Sequence, residues 1–234
     1  NKSIKLCLWC CLLFIAIPFG IYFTAFLPLT TLPHNRYDVF GRFVAYQTHM
    51  YNYHSTLQAT HPFESPWYQW PFDIRNVWYY GNYSADSEGH IRTISVLGNP
   101  LFFWACVPAT VYAFVRAVKR HSRTALICAI GFLSAYLPWV LVPRCTFIYH
   151  YFTAVPFILI ALLIAYQRLE ETASLRRVVF TKGAVTLTVG RILLLACVLV
   201  HILMFIAFYP VLTGTLTTQN YANALEWLPS WFFI

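Results

Sequence analysis

Two stretches of this sequence carry side chains suited to chemistry. In Pro143-Arg144-Cys145-Thr146-Phe147-Ile148-Tyr149-His150-Tyr151-Phe152, one guanidinium precedes an imidazole flanked by two phenols. A guanidinium is a planar fork that can pair with two oxygens of a phosphate at once. The other reading of the same stretch is a snorkelling Arg144 and a His150 hydrogen-bonded within a helix. The second stretch is His61-Pro62-Phe63-Glu64-Ser65-Pro66-Trp67-Tyr68-Gln69-Trp70-Pro71-Phe72. Three prolines stiffen an aromatic, polar-tipped loop. Its rings can anchor at a membrane interface, or their faces can line a sugar site.

Other candidates are weaker. His49, His54 and His61 match no metal-ligand spacing, so no metal site is expected. Cys7-x-x-Cys10 has redox or zinc spacing, but it lies in an apolar run where cysteine is ordinarily a small filler. His201 has no polar company and reads as structural.

Composition says what must position these groups. Of 234 residues, 59% are apolar or aromatic and 10% are charged, and the mean hydropathy is +0.58. A soluble domain carries roughly a quarter charged residues. A soluble globule, a disordered chain and a disulfide-stapled secreted module are thereby excluded. A multi-spanning helical membrane protein remains. Runs of about 20 apolar residues predict five spans, at about 6–29, 97–115, 124–142, 147–166 and 192–212.

Eleven of the sixteen Lys and Arg lie before span one, between spans two and three, or between spans four and five. The positive-inside rule then predicts a cytoplasmic N-terminus. The 33–96 loop, Arg144 and the C-terminus are predicted on the outer side. The net charge of +8 is thus a topology signal, and nucleic acid is not an expected partner. The 33–96 loop is too long to be a simple connection. Within it, Asp38 to about Ala59 has a helical apolar pattern, with Asp38 placed to cap the helix. That helix is expected either to lie in the outer interface or to cover the bundle. Asn82-Tyr83-Ser84 matches a glycosylation acceptor pattern.

Several of these motifs together resemble the protein O-mannosyltransferase family, with its bacterial phospholipid-carrier-dependent glycosyltransferase relatives. The resemblance rests on Asn52-Tyr-His-Ser-Thr-Leu-Gln-Ala-Thr-His61 and the loop that follows, and on Gly98-Asn99-Pro100. It rests also on Arg144 through Phe152, Tyr209-Pro-Val-Leu-Thr-Gly and Leu225-Glu-Trp-Leu-Pro-Ser-Trp. It covers about 38–234 and implies the C-terminal membrane domain of a GT-C type, all-α helical enzyme. The implied reaction moves a sugar, often mannose, from a polyprenyl-phosphate carrier to a protein Ser/Thr hydroxyl outside the cytoplasm. It inverts the anomeric carbon, with an acidic residue as general base.

The resemblance places that acid in a first outward loop near the N-terminus of the full enzyme. Here no Asp-Glu pair follows an N-terminal span and the chain begins at Asn1, so the catalytic half is expected upstream. No catalytic residue is assigned in this chain. Arg144, Tyr149 and His150 are expected to bind the lipid phosphate. His61, Glu64, Trp67, Tyr68 and Trp70 are expected around the sugar and acceptor. No tightly bound cofactor is implied, and a divalent metal is left open. The expected partners are the lipid-linked sugar donor, an acceptor protein, membrane lipids and the enzyme's N-terminal half. The location is a bacterial plasma membrane, or the endoplasmic reticulum membrane in a eukaryote.

Three other readings compete. A GT-C enzyme with a lipid or glycan acceptor would share all of these features. A transporter or channel would need polar groups at mid-membrane depth and paired broken helices, whereas the polar groups here cluster at the outer rim. A non-catalytic structural domain is the third.

Overall fold

A computed structural model describes residues 2–31, 38–82, 89–183 and 185–234. Arg36, and Tyr83 and Ser84 of the glycosylation pattern, lie outside the described residues. Helices dominate, and five helical stretches are long and apolar enough to cross a membrane: Lys2–Leu29, Pro100–Arg120, Arg123–Leu141, Ile148–Glu170 and Val189–Thr213. The chain forms two compact units, residues 1–58 and 59–234.

In the first unit, α1 (Lys2–Cys11) and α2 (Ile17–Thr24) are joined by a π-helical segment, Leu12–Ala16. The proline ring of Pro18 clashes with the carbonyl four residues back in regular α-helix, and the π segment contains that residue, Phe14. The helix expected after Asp38 is α3 (Val39–Thr56), capped by Asp38 Oδ1 accepting from Gly41 N at 2.8 Å. Phe43 of α3 packs its ring among Phe19, Tyr22, Phe23 and Phe26, at centroid distances of 5.2–5.8 Å. Phe40, Val44 and Tyr51 of α3 stay exposed.

The second unit opens with a short 3-10 helix, Trp67–Phe72, and two antiparallel strands, β1 (Val77–Asn82) and β2 (His90–Val96). Next come α4 (Pro100–Arg120) and α5 (Arg123–Tyr136), then a 3-10 segment Ile148–Ala154 that runs into α6 (Val155–Glu170). The short α7 (Ala173–Arg176) and the hairpin β3 (Val178–Lys182)–β4 (Val185–Thr188) lead to α8 (Val189–Thr213). A two-residue strand β5 (Thr217–Thr218) joins β2, and α9 (Gln219–Ala224) precedes the tail.

Local chemistry sets the helix starts. Asn99 caps α4, accepting from Phe102 N, and Pro100 occupies the first turn, where its missing N–H costs nothing. Asn99 also donates from Nδ2 to the His201 carbonyl, tying α4 to α8. Ser122 caps α5. The helices run past the sequence boundaries, so Arg116, Lys119 and Arg120 sit on the last turns of α4 rather than in a loop. Small residues (Ala113, Ala117, Ala125, Cys128, Ala129 and Ala161) let α4, α5 and α6 approach closely, as membrane helices require when lipid is as apolar as leucine. Nearer Arg144, larger side chains fill the core: Trp70, Phe103, Phe132, Ile148, Tyr151 and Ile158.

Candidate functional site

The two motifs separated by some eighty residues meet. Ser65 N donates to the Thr146 carbonyl at 2.8 Å, and Thr146 Oγ1 donates to the Ser65 carbonyl at 2.9 Å. Both residues are buried. The His61 ring lies edge-on to Phe147 at 5.1 Å, and Phe147 stacks on Tyr149 at 5.3 Å.

His150 sits within the aromatic wall. Its ring centroid is 4.1 Å from Trp139, 4.5 Å from Tyr149 and 5.9 Å from Trp70. Nδ1 lies 3.0 Å from Phe147 N and 2.9 Å from Phe147 O. Accepting from the amide leaves the ring proton on Nε2, and donating to the carbonyl puts it on Nδ1, so the two contacts belong to different tautomers. Nε2 has no hydrogen-bond partner among the described residues. Half-buried Arg144 likewise has neither ion pair nor hydrogen bond among them. Its charge acts on both the Tyr149 hydroxyl and the His150 ring.

The remaining predicted residues are placed differently. Trp70 is 1% exposed, and its indole N–H is satisfied by Ser65 O and Oγ at 3.1 and 3.0 Å, so it supports the site from the core. Trp67 packs on Tyr136, whose hydroxyl donates to the Trp67 carbonyl at 2.7 Å. Tyr68 is exposed. Glu64 folds back on its own turn, with Oε2 accepting from His61 N at 3.3 Å. His49 and His54 lie in the first unit.

Sequence reasoning passed over three residues. Trp139, at the end of the third span, packs tilted against His150 at 4.1 Å; a tryptophan after Pro138 at a span terminus was the available signal. Tyr79 on β1 lies close enough to act on the Tyr149 hydroxyl. Asp73 is buried in a left-handed conformation (φ 53°) that Asp tolerates better than most residues. Its Oδ1 accepts from Gly98 N at 3.1 Å, and its carbonyl accepts from Trp231 Nε1 at 2.7 Å. Burial pushes the carboxyl up to about 7, against the opposing effect of the Gly98 hydrogen bond. The tail completes this junction. Asn76 and Phe232 exchange side-chain and backbone hydrogen bonds, and Ser230 Oγ donates to the Ile74 carbonyl.

The class of molecule is therefore a polytopic helical membrane protein with a braced aromatic, cationic site at one rim of its helices. A family model described as the C-terminal four-transmembrane region of protein O-mannosyltransferase matches residues 39–231, and the chain belongs to that family. It is similar to the polyprenol-phosphate-mannose–protein mannosyltransferase of Corynebacterium glutamicum, with 26% identity over 80% of this chain and 36% of the relative. The Mycolicibacterium smegmatis protein of the same name is 25% identical, over 92% of this chain and 45% of the relative. The chain thus spans less than half the length of these curated relatives. The Saccharomyces cerevisiae Pmt1–Pmt2 complex, solved bound to the sugar donor, matches with a TM-score of 0.66 and 21% identity over 86% of this chain and 28% of that one. That likeness establishes the helical membrane fold.

Proposed function

We propose that this chain is the C-terminal membrane part of an enzyme that moves mannose from a polyprenyl-phosphate carrier to a Ser or Thr hydroxyl of a protein. The transfer takes place on the extracytoplasmic face. The observation that carries the reading is Arg144, a half-buried cation with no anionic partner among the described residues, beside the free edge of His150 and the Tyr149 hydroxyl. Displacement at the anomeric carbon leaves negative charge on the carrier phosphate. A fixed guanidinium and neutral N–H and O–H donors bind that charge more strongly as it grows, which lowers the barrier. His61, packed on Phe147 of the Arg144 segment, and the exposed Tyr68 beside Trp67 are assigned to the sugar and acceptor. The general base that takes the acceptor hydroxyl proton comes from the N-terminal half of the enzyme.

The test uses the full-length protein, a lipid-linked mannose donor and an acceptor peptide. Arg144→Ala is expected to lower transfer by about a hundredfold or more, in the range seen when one transition-state charge contact is removed. Arg144→Lys should restore part of it, since the point charge is kept but the fork is lost. Unchanged transfer by Arg144→Ala, in protein of normal thermal stability, would remove Arg144 from the site and the reading with it.

A further inference from the structure

A second site lies at the far end of the helices, some 30 Å from Arg144 by the length of a 21-residue helix. There the C-terminal turns of α4 and α6 flank a cavity of about 530 Å³ that is open to the surface. Arg116, Lys119 and Arg120 enter it from α4, and Arg168 from α6. The one acid in the lining is Glu171, which Arg168 Nη1 contacts at 2.6 Å. That hydrogen bond and the surrounding arginine charges hold the Glu171 carboxyl below its usual range. Among the described residues, Arg116, Lys119 and Arg120 make no ion pair or hydrogen bond. Arg116 merely lies over the Tyr112 ring at 6.0 Å.

Two ordinary explanations cover only part of this charge. Each helix C-terminus carries about half a negative charge, which one nearby cation offsets. The positive-inside bias asks for basic residues near span ends, but not for four of them around one cavity. The surplus is about three positive charges in a hollow with a single paired acid.

The cavity also has an apolar approach. Val115 and Tyr112 form its wall. Val111, Val115 and Val118 form a stripe of exposed side chains along the same face of α4. A ligand fitting both parts has a phosphate at one end and hydrocarbon at the other. We propose that this cavity binds the headgroup of an anionic phospholipid, its phosphate among Arg116, Lys119, Arg120 and Arg168 and its acyl chains along the valine stripe. This site is distinct from the donor site proposed at Arg144 and lies in the opposite leaflet.

The test uses the full-length protein in detergent, with native mass spectrometry of bound phosphatidylglycerol and phosphatidylcholine. Wild type is expected to retain phosphatidylglycerol preferentially. Each cation removed should weaken retention about fivefold, so Arg116→Gln/Lys119→Gln/Arg120→Gln should lose it almost completely. The charge-matched Lys2→Gln/Lys5→Gln/Lys182→Gln variant should retain the lipid. If the cavity triple fails to fold, Arg116→Gln alone gives the single fivefold step. Retention by the cavity variants equal to wild type overturns the proposal. So does release of phosphatidylglycerol by millimolar inorganic phosphate alone, which would assign the cavity to a soluble anion.

Discussion

Ser65 and Thr146 hold each other by two hydrogen bonds, one through backbone alone and one through the Thr146 hydroxyl. This clasp joins the proline-rich loop to the Arg144 segment. Thr146→Val keeps the shape and the backbone bond but removes the hydroxyl. The Ser65 carbonyl still accepts from Trp70 Nε1, so the expected cost is about 1–2 kcal/mol. In thermal unfolding of the detergent-solubilised protein, that is a fall in Tm of some 2–8 °C. Thr146→Ser should recover most of it. A Thr146→Val protein melting with wild type would mean the side-chain bond contributes nothing.

His150 offers a finer test of the phosphate site. Asparagine at this position can still accept from Phe147 N, as Nδ1 does, but it presents nothing where Nε2 was. Glutamine can place an amide N–H near the Nε2 position. Under the proposed role, His150→Asn slows mannose transfer by about 10–100-fold, the worth of one hydrogen bond to a charged group, while His150→Gln retains more activity. The reverse order would show that the ring acts by bracing Phe147 rather than by meeting the phosphate.

The spans were legible because about 20 apolar residues in a row have few other uses. Their ends were not, since Arg116, Lys119 and Arg120 are good helix formers that extend α4 past its apolar run. The β1–β2 pair within the long loop escaped notice for a definite reason. The buried face of β2 carries Ile91, Thr93 and Ser95, so two of its three inward residues are polar. Thr93 Oγ1 donates to the Tyr80 carbonyl, and Ser95 Oγ to the Phe232 carbonyl. These partners come from another strand and from the tail, which no local pattern displays. Trp70 is a similar case. In sequence it matches Trp67 and Tyr68, yet it is buried, with its indole N–H satisfied by Ser65 O and Oγ, and Thr146 holds Ser65 in place. The juxtaposition of Arg144, Tyr149 and His150 was readable, being nearly continuous in sequence. Of its aromatic surroundings, Trp139 lies only eleven residues before His150, whereas Trp70 and Tyr79 come from the long loop some seventy to eighty residues earlier.

Gly131 is a packing test of the bundle. A Cβ built there falls 2.1–2.7 Å from the Phe157 ring, so α5 and α6 touch where only glycine fits. Gly131→Ala gains about 0.5–1 kcal/mol of helix propensity, but overpacking costs about 1–3 kcal/mol. The net expectation is a lower Tm. Combining it with Phe157→Leu should recover part of the loss, because the two changes act on one contact. Additive effects in that double-mutant cycle would place the strain elsewhere.

Asp73 gives the protein a pH-dependent stability of unusual sign. Burial raises its carboxyl from an ordinary 3.8 to about 7. The folded chain therefore holds this proton more tightly than the unfolded chain does. Below about pH 4 both states are protonated, and the residue does not affect the balance between them. As pH rises from 4 to 7 the unfolded state loses its proton first, and folding loses stability, up to about 4 kcal/mol by pH 7–8. Asp73→Asn removes the titration. It keeps an oxygen for Gly98 N and suits the left-handed backbone at φ 53°. The variant should melt close to wild type at pH 4 and several degrees higher at pH 8. A wild-type Tm that rises with pH from 5 to 8 relative to Asp73→Asn would mean the carboxyl is ionised and stabilising in the fold, against the burial argument.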